Sequence, residues 1–134
     1  EMCIRDSLHN EGLTNVGTVY QGRLFRTLDD IDYLEQKLGS AADYRICKGI
    51  YLEPEDIAHI GYDEIVSATN ASIDKMLAAG AYCAVASHDK PVINHALSAL
   101  EHMVWVQILQ TQEKMLVNLD LEKVLVMSSK CCWV

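Results

Sequence analysis

Three short runs hold the side chains whose types and spacing could do chemistry. The run Arg45-Ile-Cys47-Lys48-Gly49-Ile-Tyr51 closes a strand-like pattern with two cations, a glycine and an aromatic ring. A guanidinium and an ammonium at a strand end can be aimed at an electron-rich ligand, and the glycine lets that ligand approach the backbone. Upstream, Val19-Tyr20-Gln21-Gly22 ends an apolar run on an amide, which can donate and accept at once. Downstream, Val85-Ala86-Ser87-His88-Asp89 sets a hydroxyl, an imidazole and a carboxylate side by side. Neighbours in sequence cannot take the places of nucleophile, base and orienter, so this is not a hydrolase triad. It also reads as a plain capping sequence, with Asp89 as the cap of the next helix. Taken singly, Lys48 is an ordinary surface lysine, Gln21 a strand-end amide and Arg45 a solvated charge.

The elements that must position these residues alternate. Val16-Gly-Thr-Val-Tyr20 is a short β-type run. Thr27 then reads as an N-cap, with Asp29 and Asp30 in the first turn, where the helix dipole favours anions. Leu28, Ile31, Leu34 and Leu38 keep a helical period, and Gly39 stops it. Asp43–Lys48 is the second strand. A helical turn follows Glu53-Pro54, then a longer helix over about 62–79 with Ile65, Ile73, Met76 and Leu77 apolar. Tyr82–Ala86 is a continuous apolar strand, the kind expected to be buried on both faces. The last helix of this series, after Asp89, tolerates Pro91 in its first turn and presents Ile93, Leu97 and Leu100 as its buried face. Strand and helix in alternation imply an α/β fold with parallel strands and right-handed crossovers, its site at the carboxyl ends of the strands. The pattern does not separate a barrel segment from an open doubly wound sheet.

The 134 residues suffice for one small domain, and half of them are hydrophobic. A net charge of −8 argues against nucleic acid as a partner. No apolar run approaches the ~18–20 residues that span a bilayer, and no export signal is indicated. Five cysteines without CxxC spacing argue against a disulfide framework and against zinc. Cys47 and Cys83 read as small buried hydrophobes in a reducing compartment. His59, His95 and His102 have no partner at ligand spacing, so no metal site is expected.

Residues 15 to about 102, with the three runs quoted above, resemble proline dehydrogenase of the bacterial monofunctional type. The resemblance implies a distorted (β/α)8 TIM-type barrel, of which this chain would supply about three βα units. It implies FAD as cofactor, L-proline as substrate oxidised at C5 to Δ1-pyrroline-5-carboxylate, and a quinone as electron acceptor. Arg45 matches the arginine beside the flavin N5, and Gln21 matches the glutamine bonded to the isoalloxazine. Cys47, Lys48 and Gly49 match positions that hold the cofactor, although the family usually has an aliphatic residue where Cys47 stands. Ser87 and His88 match a Thr-His pair at the FAD, and Tyr51 matches the aromatic that walls the proline ring. The implied setting is cytoplasmic, with peripheral association at the inner membrane. The family's catalytic aspartate, substrate lysine and paired carboxylate-clamping arginines fall outside the matched stretch, so a central fragment without activity of its own is expected. Another flavin barrel, such as a methylenetetrahydrofolate reductase, and a non-enzymatic acidic interaction module are the competing readings.

The ends differ from the middle. Residues 1–7, Glu1-Met-Cys-Ile-Arg-Asp-Ser7, resemble a translated sequencing-adaptor scar. Residues 8–103 carry the barrel fragment, and 104–134 read as translated out of frame. One base over, Lys130 to Val134 must encode (Met/Val)-Leu-Leu-Gly whatever codons were used, and Val126 to Ser129 can supply Tyr-Glu-Phe-Gln before it. Proline dehydrogenases carry a strand close to Tyr-Glu-Phe-Gln-Met-Leu-Leu-Gly soon after the matched region. The alternative for this segment is a real amphipathic helix over 104–127.

Overall fold

The computed structural model describes residues 7, 8, 10–13 and 15–111, with 104–111 as backbone. The expected scar lies outside them except for Ser7, and so do residues 112–134 of the tail. Three strands and three longer helices alternate: β1 (Thr18–Gln21), α1 (Thr27–Leu38), β2 (Asp43–Cys47), α2 (Tyr62–Ala78), β3 (Tyr82–Val85) and α3 (Lys90–Thr111). A 3-10 turn, Gly39–Ala41, joins α1 to β2. The fold is therefore mixed α/β.

The sheet is parallel throughout, in the order β1-β2-β3. Register aligns Thr18, Tyr44 and Cys83 in one row, Val19, Arg45 and Ala84 in the next, and Tyr20, Ile46 and Val85 in a third. Side chains alternate across a strand, so the first and third rows share one face. There Tyr20, Tyr44, Ile46, Cys83 and Val85 are buried against Ile31, Leu34, Ile73, Met76, Val92 and Ala96 of the helices. Burying each large apolar side chain contributes roughly 1.5–3 kcal/mol, which commits this face to the helices. The middle row belongs to the other face, which no described helix covers, and Val19 is exposed there.

That one-sidedness corrects one expectation. β3 is buried on one face only, with Tyr82 and Ala84 half-buried on the open side. Its apolar run is continuous because Ala84 and Tyr82 fill alternate positions without needing the helix layer. α3 keeps only part of its expected face: Leu100 packs against the core and Ile93 is half-buried, but Leu97 is not. Val92 and Ala96 are fully buried while Leu97 is exposed, because α3 packs closely on α2 and small residues fit the contact.

Helix starts differ as well. Arg26, not Thr27, occupies the N-cap of α1, and no side chain caps the helix there. Thr27 is buried and its hydroxyl donates to the Gln21 carbonyl at 2.6 Å, tying the helix to the end of β1. Arg26 instead grips Asp30 one turn on, at 2.7 Å. Asp89 does not spend its carboxylate as a cap either: its backbone carbonyl accepts from Ile93, and its carboxylate reaches across to other loops.

Candidate functional site

Because the strands run parallel, their carboxyl ends meet on one side of the sheet. The ladder continues past the last strand residues. Gly22 N–H donates to the Cys47 carbonyl at 2.7 Å, Arg23 N–H to Lys48 at 3.2 Å, and Ala86 N–H to Ile46 at 2.8 Å. Residues 22, 23, 47, 48 and 86 are thereby tied into the same ladder as the strands. Gly22 is required: a Cβ there would lie 2.1 Å from Thr69 Oγ1 and 2.7 Å from Thr69 Cα, so α2 sits directly on the end of β1. Gly49 has φ 98°, and a Cβ on it would lie 2.6 Å from Gln21 Oε1 and 2.8 Å from Arg23 Cδ.

Arg45 stands on the open face, two residues before the end of β2, between Val19 and Ala84. Among the described residues its guanidinium makes no hydrogen bond or ion pair. Gln21 and Cys47 are register partners one pleat further on. The Cys47 thiol donates to the Tyr20 carbonyl at 3.4 Å, and burial pushes its pKa up. It is a neutral packing group here. Burial pushes Cys83 up to about 12.

Lys48 is committed elsewhere. Its Nζ lies 2.5 Å from Asp89 Oδ2 and 5.0 Å from the centre of the Tyr62 ring. The Tyr62 hydroxyl donates to the same carboxylate at 2.8 Å. The bonds from Lys48 and then Tyr62 hold the Asp89 carboxyl below the ordinary range, while the bond to Asp89 raises the Tyr62 phenol. At neutral pH Asp89 is therefore a carboxylate and Tyr62 an un-ionised phenol, and with Lys48 they join the β2 end to the starts of α2 and α3. Ser87 is buried and its Oγ accepts from Asp89 N–H at 3.1 Å, which shapes the turn into α3.

Two expected residues do not join the group. Tyr51 is 70% exposed, and it is its carbonyl rather than its ring that is engaged. His88 is exposed next to buried Ser87. One residue that sequence reasoning passed over does join. Arg23 is only 6% exposed, its guanidinium donates to the Tyr51 carbonyl, its N–H to Lys48, and its carbonyl accepts from His59 at 2.8 Å. The signal for it was a cation just after the strand-ending Gln21-Gly22, but nothing in the sequence marks such a cation as buried. A cavity of about 310 Å3 lies apart from this region, between α2 and α3, lined by Leu77, Ala99, Met103 and the His95–Asp74 pair at 2.8 Å. The strand ends remain the better candidate, since a buried acceptor and a buried donor without partners, Gln21 Oε1 and Arg23 Nε, both lie there beside Gly49.

No family model matches the chain. It is similar to the proline dehydrogenase of Deinococcus radiodurans, with 34% identity over 83 residues. That match takes in 62% of this chain and 26% of the relative's length. The likeness is thus to one section of an oxidoreductase of proline.

Proposed function

We propose that the chain is a section of a flavin-dependent proline dehydrogenase of the bacterial monofunctional type, with β1 to β3 forming part of a (β/α)8 barrel. Consecutive strand order with helices on one face suits that architecture, since a doubly wound sheet carries helices on both. The open face then corresponds to a barrel interior.

The observation that carries the reading is the pairing of Gln21 with the Arg45 strand on that open face. A buried amide oxygen without a partner and a guanidinium without an acidic partner fit an aromatic cofactor with donor and acceptor edges. The residues present therefore fit FAD: Gln21 and Arg45 lie along the ring system, and the bare Gly49 leaves room for the Gln21 amide and the Arg23 stem at the strand ends. The chemistry supplied by bound FAD is two-electron oxidation of L-proline at C5, with a quinone as final acceptor. In that setting Arg45 brings a fixed positive charge to where negative charge accumulates. Ser87 keeps a hydroxyl proton to donate, and the Lys48–Asp89–Tyr62 cluster holds the loops in place around the strand ends. Cys47 stays a neutral thiol with no redox part. The setting that goes with this reading is cytoplasmic, with the whole protein peripheral to the membrane.

Titration of the purified chain with FAD, followed by flavin fluorescence, tests the reading. Saturable quenching that Arg45→Met weakens at least severalfold, with the circular dichroism spectrum unchanged, is the expected result. Absence of quenching by the unaltered chain would refute the proposal.

A further inference from the structure

Arg23 presents a problem that the sheet does not solve. It is 94% buried by its 6% exposure, yet among the described residues no carboxylate pairs with it. A buried guanidinium satisfied by a single carbonyl is costly. Its Nε–H has no acceptor, and Gln21 Oε1, equally shielded, has no donor. Gln21 Oε1 and the Arg23 stem meet beside Gly49. The position of an added Cβ there is 2.6 Å from Gln21 Oε1 and 2.8 Å from Arg23 Cδ, the carbon that carries Nε. An unmatched acceptor and the stem of an unmatched donor thus meet at a glycine.

We propose that Arg23 is a further flavin-binding residue, and that with Gln21 it recognises the pyrimidine edge of the cofactor. The inference rests on the flavin reading above. That edge offers a ring nitrogen and carbonyl as acceptors beside an N–H donor, the complement of Arg23 Nε–H and Gln21 Oε1. The two contacts have different electrical consequences. Gln21 is neutral and serves oxidised and reduced flavin alike. Arg23 is always cationic and favours the reduced form, whose negative charge lies on that edge. The contact to the Tyr51 carbonyl holds the guanidinium and the 49–52 tip together, so ligand and loop share one cation.

The alternative is that Arg23 only straps the loop, its Nε–H turning to Gln21 Oε1. Affinity of the full chain for oxidised FAD and for dithionite-reduced FAD, measured anaerobically, separates the two. Arg23→Gln retains an amide donor for the Tyr51 carbonyl and removes the charge. It is expected to weaken reduced FAD about tenfold more than oxidised FAD, equivalent to a fall of about 30 mV for a two-electron couple. Gln21→Leu is expected to weaken both forms alike. Equal weakening of both forms by Arg23→Gln overturns the assignment and leaves the flavin reading standing. Failure of the unaltered chain to bind either form overturns both. Should Arg23→Gln not fold, Arg23→Met carries the test: the stem remains and the charge is gone, so the ratio of reduced to oxidised affinity must fall about tenfold. An unchanged ratio overturns the proposal.

Discussion

Replacing Gly49 by alanine isolates the steric demand at the strand ends. Two penalties add. At φ 98° a Cβ meets its own backbone, which costs about 1–2 kcal/mol for an L-residue. The new methyl also enters a space already filled by Gln21 Oε1 at 2.6 Å and by Arg23 Cδ and Cγ at 2.8 and 3.0 Å. Overpacking of that kind costs about 1–3 kcal/mol. Gln21 can swing its amide aside, but Arg23 is anchored by the Tyr51 carbonyl and buried, so it cannot clear the space alone. The total is about 2–5 kcal/mol, a large part of the ~5–15 kcal/mol that stabilises a domain. Gly39 supplies the control. Its φ is also positive, at 52°, but a Cβ there has nothing within 4 Å, so Gly39→Ala carries the backbone penalty alone. Urea denaturation followed by far-ultraviolet circular dichroism should show the Gly49→Ala midpoint roughly 0.5–1.5 M below that of Gly39→Ala, for a slope of about 2 kcal/mol/M. Equal midpoints for the two variants would refute the packing described around Gly49.

Other perturbations read the remaining contacts. Gly22→Ala sets a methyl 2.7 Å from Thr69 Cα, a backbone atom no rotamer change removes, so thermal unfolding should show a loss of about 3 kcal/mol or more. A melting temperature within two degrees of the parent would contradict the seating of α2 on β1. The folded Asp89 carboxyl lies below its ordinary range, so its contribution is present above the unfolded pKa, about 3.9, and is lost as pH falls through the lower folded value. The melting difference between the parent and Asp89→Asn should therefore hold steady from pH 7 to about pH 4 and close only in stronger acid; closure between pH 6 and 5 would assign it to another group. Cys83, fully buried with its pKa pushed up to about 12, should resist iodoacetamide at pH 8 in the folded chain while half-buried Cys47 is modified first. Peptide mapping reads the order, and equal rates would mean that the sheet opens.

Much of this architecture is legible in the sequence because its period is strong. Ile31 and Leu34, and Ile65, Ile73, Met76 and Leu77, fall on the buried faces that their spacing implies. The gathering of Gln21, Cys47, Lys48 and Gly49 at one end of the sheet follows from parallel strands of matched length. What escaped depends on partners distant in sequence. Thr27 has the right type and place for a cap, but a carbonyl six residues earlier captures its hydroxyl. Asp89 looks local until Lys48, 41 residues away, is folded beside it. The buried face of α3 is set by how closely α2 approaches, and local apolar spacing says nothing of that distance. Arg23 was missed because a charged residue in a loop is normally solvated, and its burial arises only when the loop after β2 closes over it.

The order β1-β2-β3 also has a bearing on synthesis. Each strand pairs with the one made just before it, and none has to be inserted between two that are already joined. Pairing can therefore keep pace with elongation at ~5–20 residues per second, one βα unit docking on the last. The nascent chain always offers a waiting edge to the next strand, so the same unpaired edge that guides growth from the ribosome is where two unfinished chains would join by mistake.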